Sequence, residues 1–412
     1  MNARANQHRG QSVPGRCAVV VFTFVAFVFV HGVVAAATQG SERATMRDGV
    51  KYVVNPGVGT EPARVLTTTE LWRRGGEEDE VVFGTIGDIV RDRLGNAYVL
   101  DNQLSAIHVI GPDGAYAGTV GRKGEGPAEF RMASGIVLLE DTVLCITQVM
   151  PARVVKLSTG GHALGDHPLS RDLVTSYLNG CAVVDGRLAV KASRMTRDKT
   201  SVALQTVFGV LDETGTLAKT YWERFQKADF ANMQFDEKAD AEPVWAFGSE
   251  GRLYINSDWD RYAIEVVGPG KKVEHVIERA YEHLPRSADD LEAVEKQKRA
   301  GEISPETRVS ATERDVVRLF PRHDGSLWVL SSRGDHEVPS GVIAVFDEFD
   351  RAGVFVRSLT VQGPRHPHLD EFYLVDDLVF VVVNGASGST TSNETSASGE
   401  IEIVCLRMSV GR

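Results

Sequence analysis

Short apolar runs separated by turn residues dominate the chain from residue 84 onwards. In the stretch 84–130, four runs follow one another: Thr85–Val90, Ala97–Leu100, Ala106–Ile110 and Tyr116–Val120. Gly95, Asn102 and Gly114 lie in the turns between them. Runs of this length, rich in β-branched and aromatic residues and bounded by Gly, Asn, Asp and Pro, predict four antiparallel strands.

The second strand of this unit, together with the turn before it, recurs along the chain. The copies are GNAYVLD from Gly95, EDTVLCIT from Glu140, DGRLAVKA from Asp185, EGRLYINS from Glu250, DGSLWVLS from Asp324 and DDLVFVVV from Asp376. The first three are about 45 residues apart, a spacing typical of four-stranded propeller blades, and the longer later intervals indicate insertions. Because one such sheet cannot bury both of its faces, six copies predict an all-β, six-bladed β-propeller.

The two ends of the chain suggest how this ring closes. After the sixth copy only one further strand is evident, Glu400–Leu406, so the last blade is one strand short. Arg64–Trp72 is a spare strand before the first blade. We therefore expect N-terminal strand pairing in the last blade, with Thr67–Leu71 opposite Ile401–Cys405, and a propeller that spans residues 64–412.

The stretch Glu70–Phe130 resembles the six-bladed propellers of the NHL-repeat type, especially exported bacterial ones. The resemblance is carried by ELWRRGGEEDE, DRLGNAYVLDNQLSAIHVIGPDG and GRKGEGPAEF. Ala128 stands where the family commonly has the middle glycine of Gly-Pro-Gly-Glu-Phe. The resemblance implies the fold and little about chemistry. Some propellers of this type are metal-dependent lyases that act on peptide C-termini, and no motif in this sequence matches their ligand pattern.

The first 37 residues have the pattern of a secretory signal. Three arginines precede the apolar run Cys17–Val30, small residues lead up to Ala37, and the segment contains no Asp or Glu. We expect cleavage after Ala37, export to the periplasm or the extracellular space, and a flexible leader over residues 38–63. Counted on to Ala37, the apolar segment is also long enough to stay as an uncleaved membrane anchor, the only membrane contact we expect.

Charge and cysteine content narrow the range of partners. The full chain has a net charge of −11, and removal of the signal takes away three arginines and no acidic residue. So acidic a chain repels a phosphate backbone, and we expect no nucleic-acid partner. Cys145, Cys181 and Cys405 each lie in an apolar run. We expect buried free thiols, with a Cys145–Cys181 disulfide as the alternative.

The connections between the predicted strands are longer at one end of the blades. The loops between second and third strands and the junctions between blades share that end, here called the long-loop face, where binding usually resides. Its largest insertion, about residues 284–314 between blades four and five, contains a short helix. Ser287 is a suitable N-cap and Gly301 a suitable end. The helix is either a solvated element that rests on the ring by a thin apolar stripe or a lid over the central mouth.

Ten polar residues on this face are candidate ligand-binding residues around the mouth. They are Asp101, Asn102, Arg122, Lys123, Asp258, Asp260, Arg261, Arg333, Asp335 and His336. Converging carboxylates can bind calcium or act as acid and base, although most aspartates at such positions form turns. His366 and His368 alternate in an extended segment, which makes them candidate ligands for zinc or another divalent metal. A histidine pair beside a proline is also common in exposed turns.

Two classes of function follow from these observations. The first is an exported binding or scaffold module that holds a protein, peptide or glycan ligand on the long-loop face. The second is a metal-dependent lyase or hydrolase on the same fold. The sequence has no Gly-x-Ser-x-Gly, His-Glu-x-x-His or P-loop motif, so it assigns no catalytic residue.

Overall fold

The structure, a computed structural model, describes residues 44–229, 235–248, 250–385 and 400–411. Three strands precede the first blade: β1 (Ala44–Arg47), β2 (Val50–Asn55) and β3 (Arg64–Gly75). Blade one contains β4 (Ile86–Arg91), β5 (Ala97–Asp101), β6 (Ala106–Ile110) and β7 (Tyr116–Val120), followed by the short pair β8 (Arg122–Lys123) and β9 (Glu129–Phe130). Blade two contains β10 (Ala133–Leu139), β11 (Val143–Gln148), β12 (Arg153–Ser158) and β13 (Ala163–Asp166).

The rest of the described chain adds four more blades and four helices. Helix α1 (Arg171–Val174) leads into blade three: β14 (Tyr177–Val184), β15 (Arg187–Arg197), β16 (Ser201–Leu211) and β17 (Leu217–Asp229). Helix α2 (Glu237–Asp240) leads into blade four: β18 (Val244–Phe247), β19 (Leu253–Asn256), β20 (Ala263–Gly268) and β21 (Lys272–Arg279). Helix α3 (Ala288–Ala300) precedes blade five: β22 (Val316–Pro321), β23 (Leu327–Ser331), α4 (Ser332–His336), β24 (Val342–Phe349) and β25 (Phe355–Gln362). Blade six contains β26 (Glu371–Val375), β27 (Leu378–Val383) and β28 (Glu402–Val410).

The blades are antiparallel sheets whose first strands contact one another in chain order. Strand β4 contacts β10, β10 contacts β14, β14 contacts β18, and β18 contacts β22. The ring continues where the Arg318 side chain of β22 donates to the Phe372 carbonyl of β26 at 2.6 Å, and β26 contacts β4. In the part of the chain that the structure describes, six hydrophobic clusters each fill the space between two neighbouring blades. The mostly β architecture is therefore a six-bladed propeller, as the repeat predicts.

Strand β3 is the outer strand of the last blade, and its register differs from the one we expected. Strand β3 pairs antiparallel with β28, so that Thr67 lies opposite Ser409 and Trp72 opposite Cys405. The predicted pairing of Thr67–Leu71 with Ile401–Cys405 is wrong, because both strands continue beyond the predicted ends and a bulge interrupts the ladder between Cys405 and Leu406. The first residues of β3 also pair in parallel with β25 of blade five.

The prediction of a flexible leader is wrong for the part of residues 38–63 that the structure describes. Strands β1 and β2 form a hairpin, and β2 pairs in parallel with β21, the outer strand of blade four. Asn55 is 1% exposed. Its amide donates to the carbonyls of Glu278 and Gly353 and its oxygen accepts from the Phe355 amide. The polar side chain is fully satisfied inside the fold, and it fixes the segment between blades four and five.

The predicted helix is present in the insertion, defined here as residues 280–315. The Ser287 hydroxyl caps α3 by accepting from the Asp290 amide, and Gly301 ends it with φ 75°. A left-handed residue at this position is the common end of a helix. Helix α3 has no buried residue, so packing against the ring contributes little to its stability.

Two further predictions concern the cysteines and the N-terminus. The three cysteines in the described ranges are free, with Cys145 and Cys405 buried, so the alternative Cys145–Cys181 disulfide is absent.

The predicted signal, its cleavage and the alternative anchor all lie outside the described residues. Of the helices in the described ranges, none is both long and apolar enough to cross a membrane.

Candidate ligand-binding site

Asp101 and Asn102 lie in the blade-one loop, where the Asp101 side chain supports the backbone. Asp101 is 0% exposed, and its carboxylate accepts from the amides of Gly84 at 2.6 Å and Leu104 at 2.9 Å. Burial alone would raise the pKa of Asp101, but His108 and the two amides outweigh it and hold that pKa below its ordinary value. The Asp101 carboxylate is thus engaged by the backbone of its own loop, and its assignment to the mouth stays a prediction. Asn102 is partly exposed, and its backbone N–H donates to the Thr85 carbonyl.

Arg122 and Lys123 are exposed in the junction between blades one and two. The Arg122 guanidinium donates to the Glu129 carboxylate at 2.7 Å. That carboxylate also accepts from the amides of Glu125 and Gly126. Phe130, at 0% exposure, packs between the two blades. The segment GRKGEGPAEF is thus a junction held by its own hydrogen bonds. Lys123, unlike Arg122, has no ion pair or hydrogen bond from its side chain among the described contacts.

Asp258, Asp260 and Arg261 follow β19 in blade four. Asp260 connects this loop to the insertion, because it accepts from the Thr312 hydroxyl at 3.0 Å and from the Lys238 ammonium. Burial opposes ionisation of Asp260, but these two hydrogen bonds prevail and lower its pKa. Arg261 pairs with Glu278 and lies 3.7 Å from Asp258. This acidic loop therefore holds the base of the insertion.

Arg333, Asp335 and His336 lie in α4, and the structure brings His336 near His368. Asp335 is 8% exposed and pairs with Arg365 at 2.8 Å. His366 and His368 are exposed. The ring centroids of His336 and His368 are 6.1 Å apart, as are those of His366 and His368. Within the described ranges, no group of three or more His, Cys, Asp or Glu side chains has an arrangement that could hold a metal ion.

A cavity of about 550 Å³, here called the insertion pocket, lies beneath α3 and was not predicted from the sequence. Its walls come from α2, α3, the loop after β19 and the end of the insertion. The apolar lining residues are Phe235, Ala241, Trp259, Val294, Ile303 and Val309. The polar ones include four carboxylates, Asp236, Glu237, Asp240 and Glu242, and one guanidinium, Arg314. A pocket of this size with apolar walls and few polar groups is typical of ligand sites.

Polar contacts at the base of the insertion hold the pocket open. The Arg286 guanidinium makes two hydrogen bonds to the Glu237 carboxylate, at 3.0 and 2.6 Å. The indole nitrogen of Trp259 donates to the Thr312 carbonyl at 3.0 Å, which fixes the ring in the pocket wall. Burial, assisted by repulsion from Arg224, lowers the pKa of Arg314 to about 10. The walls are thus fixed by their own contacts and do not depend on a packed helix.

Part of this site has a recognisable sequence signal. Leu291 and Val294 are half-buried on one face of α3, and this is the thin apolar stripe that the sequence shows. Phe235 and Trp259 carry no such signal, because single aromatic residues in loops are as often packed as exposed. Their contribution to one pocket depends on contacts between segments distant in sequence.

Comparisons with known proteins do not identify a family for this chain. No protein-family model matches it, and no curated protein matches it in sequence. Among solved structures, a Bacteroides fragilis protein described as exported is 13% identical over 88% of this chain and 100% of that chain, with a TM-score of 0.49. Virginiamycin B lyase from Staphylococcus aureus is 9% identical over 83% of this chain and 99% of that chain, with a TM-score of 0.42. Regucalcin from Agrobacterium tumefaciens is 12% identical over 85% and 97%, with a TM-score of 0.39. Similarities this low carry no argument about function.

Proposed function

We propose that the protein is an exported β-propeller that binds a peptide ligand on its long-loop face, in the insertion pocket. The observation that carries the proposal is the roof of the pocket, a helix with no buried residue of its own over a cavity of about 550 Å³. A helix kept at this position without core packing has the geometry expected of an element that contacts a ligand.

The lining of the pocket suits a peptide and disfavours a nucleic acid. Trp259 and Phe235, which is 54% exposed, offer aromatic surface to an apolar side chain. The four carboxylates give the walls acidic character and disfavour phosphate. Asp240 accepts only from the Asp236 amide among the described contacts, at 2.9 Å, so it has capacity for a ligand amide or ammonium.

No described arrangement favours the second class, a metal-dependent lyase or hydrolase, over ligand binding. The NHL-type assignment and export belong to the proposal and are supported by the sequence alone. The N-terminal pattern supports export, and the segment Glu70–Phe130 supports the NHL type.

Peptide selection with the mature protein tests the proposed function. A displayed library of random heptapeptides is panned against it, and the affinities of selected peptides are measured by isothermal titration calorimetry. We expect Val294→Arg, which places a charge in the pocket roof, and Trp259→Ala, which removes the aromatic wall, each to weaken binding at least tenfold.

Glu292→Arg is the matched control, because Glu292 is exposed on the same helix. We expect it to leave peptide affinity within a factor of two. Peptides that bind both pocket variants as tightly as the wild type, or a library that yields no binder, would contradict the proposal. Thermal melting of each variant shows that it is folded, and Val294→Arg is the decisive variant because α3 has no buried residue.

A further inference from the structure

A second cavity, here called the axial pocket, lies at the opposite end of the propeller from the long loops. Its volume is about 480 Å³. Five blades line it with the last residues of their first strands, next to the tight turns that follow. The half-buried apolar side chains among them include Val90, Leu138, Val183, Phe320 and Leu374. Each of these five blades contributes the next-to-last residue of its first strand, so the apolar wall lies around the ring axis.

Among the described residues, none from blade four lines this pocket. Its first strand, β18, has only four residues. A volume near 500 Å³ is within the range of small-molecule sites.

Two arginines and a histidine lie at the edge of the apolar wall, in the two blades that flank blade six. Arg91, Arg322 and His323 line the pocket, against a single lining carboxylate, that of Asp376. His323 lies 3.1 Å from the Asp376 carboxylate and engages it. The Arg322 guanidinium donates to the Asp376 backbone carbonyl, stacks on Trp328 at 4.6 Å, and has no ion pair with a carboxylate among the described residues.

Arg91 also has unused hydrogen-bonding capacity. Its Nε is buried and has no hydrogen-bond partner in the described part of the chain. Its nearest carboxylate contact is 3.9 Å, between Nη1 and Asp377. A buried donor without an acceptor is costly, and one anionic oxygen would satisfy it. Burial also lowers the pKa of Arg322, so a bound anion would offset a desolvated charge.

We propose that the axial pocket binds an aliphatic chain that ends in a carboxylate. The chain would lie against the apolar wall on the ring axis, and the carboxylate would accept hydrogen bonds from Arg322 and Arg91. Guanidinium groups are the preferred partners of carboxylates because their donors match the two oxygens. A linear acid of eight carbons is small enough for the cavity. This site is independent of the insertion pocket, because the two lie at opposite ends of the blades.

Three probes that share one chain and differ in the head group test the proposal. Octanoate, octanol and octylamine are titrated into the mature, full-length protein, and binding is followed by isothermal titration calorimetry and ligand-observed NMR. We expect octanoate to bind at least tenfold more tightly than octanol and octylamine not to bind. Equal affinity for octanoate and octanol, or no binding of octanoate, would overturn the proposal.

Variants of the rim assign the bound octanoate to this pocket. We expect Arg322→Gln to weaken octanoate binding about tenfold and Arg322→Lys to restore part of it. His323→Ala is a second variant; its side chain is 82% exposed, so the fold tolerates the change, and we expect a two- to threefold loss. Octanoate binding that is unchanged in Arg322→Gln and His323→Ala would overturn the proposal.

Two controls separate this inference from the peptide proposal and define the source of the carboxylate. Trp259→Ala, in the insertion pocket, is expected to leave octanoate affinity unchanged. A loss of affinity in Trp259→Ala would place octanoate in the insertion pocket and overturn this inference alone.

N-acetyl-leucine carries a carboxylate on a peptide-like C-terminus. If it binds more tightly than octanoate and depends on Arg322, the pocket takes a chain terminus; weaker binding identifies a free acid.

Discussion

The N-terminal segment, residues 44–75, and the insertion, residues 280–315, are both additions to the repeating ring, but they are held in different ways. The N-terminal segment adds strands to blades four, five and six, and it contributes buried side chains such as Trp72. The insertion carries a helix without a buried residue. It is attached mainly through ion pairs and backbone contacts at its base, for example between Arg286 and Glu237.

The N-terminal segment therefore stabilises the ring, whereas the insertion forms part of a candidate binding site. Stability depends on buried apolar area and satisfied polar groups, and the N-terminal segment supplies both. The insertion supplies little of either, but it forms part of the wall of an open pocket. Substitutions in the two additions should therefore have unequal effects on stability.

The largest effect is expected for Trp72→Ala in β3. Trp72 is 7% exposed, and its ring packs 5.8 Å from that of Phe380. Removing it leaves a cavity in the cluster between blades six and one, and we expect the free energy of unfolding to fall by about 3–5 kcal/mol. Denaturant titration measures the change. Val65→Ala, on the same strand and 43% exposed, is the control and should change it by less than about 0.5 kcal/mol. Equal effects of the two would show that β3 does not secure the ring.

A smaller effect is expected for Asn55→Ala. The change removes four hydrogen bonds and leaves buried backbone groups of Gly353 and Phe355 without their partners. We expect a loss of about 2 kcal/mol, because an unsatisfied buried group is costly. The same denaturant titration applies, with Val54→Ala, whose side chain is 38% exposed, as the control. A loss no larger than that of the control would mean that the segment is not fixed through Asn55.

The smallest effect is expected for Leu291→Ala in α3. Leu291 is half-buried on a helix without core contacts, so we expect a change below about 0.5 kcal/mol. Leu284→Ala, the same substitution at the buried base of the insertion, where exposure is 7%, should cost about 2–3 kcal/mol. A loss above about 1.5 kcal/mol for Leu291→Ala would place the helix in the core and remove the contrast between the two additions.

Local pattern was sufficient to predict the blades and the inserted helix. The repeated strand copies form the second strands of the six blades, and Ser287 and Gly301 bound α3 where their chemistry indicates. Pairing between distant segments was harder to predict. The sequence of Val50–Asn55 does not show that it joins blade four, because parallel pairing at a sheet edge has no local signature. The register of β3 likewise depends on a bulge that only the partner strand reveals.

The candidate residues show the same division. Asp101 has the residue type of a ligand group, but hydrogen bonds to nearby amides make it a loop-supporting residue. His368 lies near both His366 and His336, but residues 367–369 form a turn that His366 closes, so the predicted extended segment is wrong. The insertion pocket was missed because its walls come from loops and helices distant in sequence. The axial pocket was missed because its walls are apolar strand residues from different blades, and an apolar residue in a strand looks the same whether it faces a core or a cavity.

The pairing of β3 with β28 also constrains how the molecule folds. These strands lie at opposite ends of the described chain, so the sixth blade cannot be completed until nearly the whole polypeptide is available. Contacts of such long sequence separation form slowly. Until they form, the outer strands of the fifth and sixth blades expose unpaired backbone groups that can associate with other chains. Assembly of the final blade is therefore the step at which this protein is most exposed to aggregation.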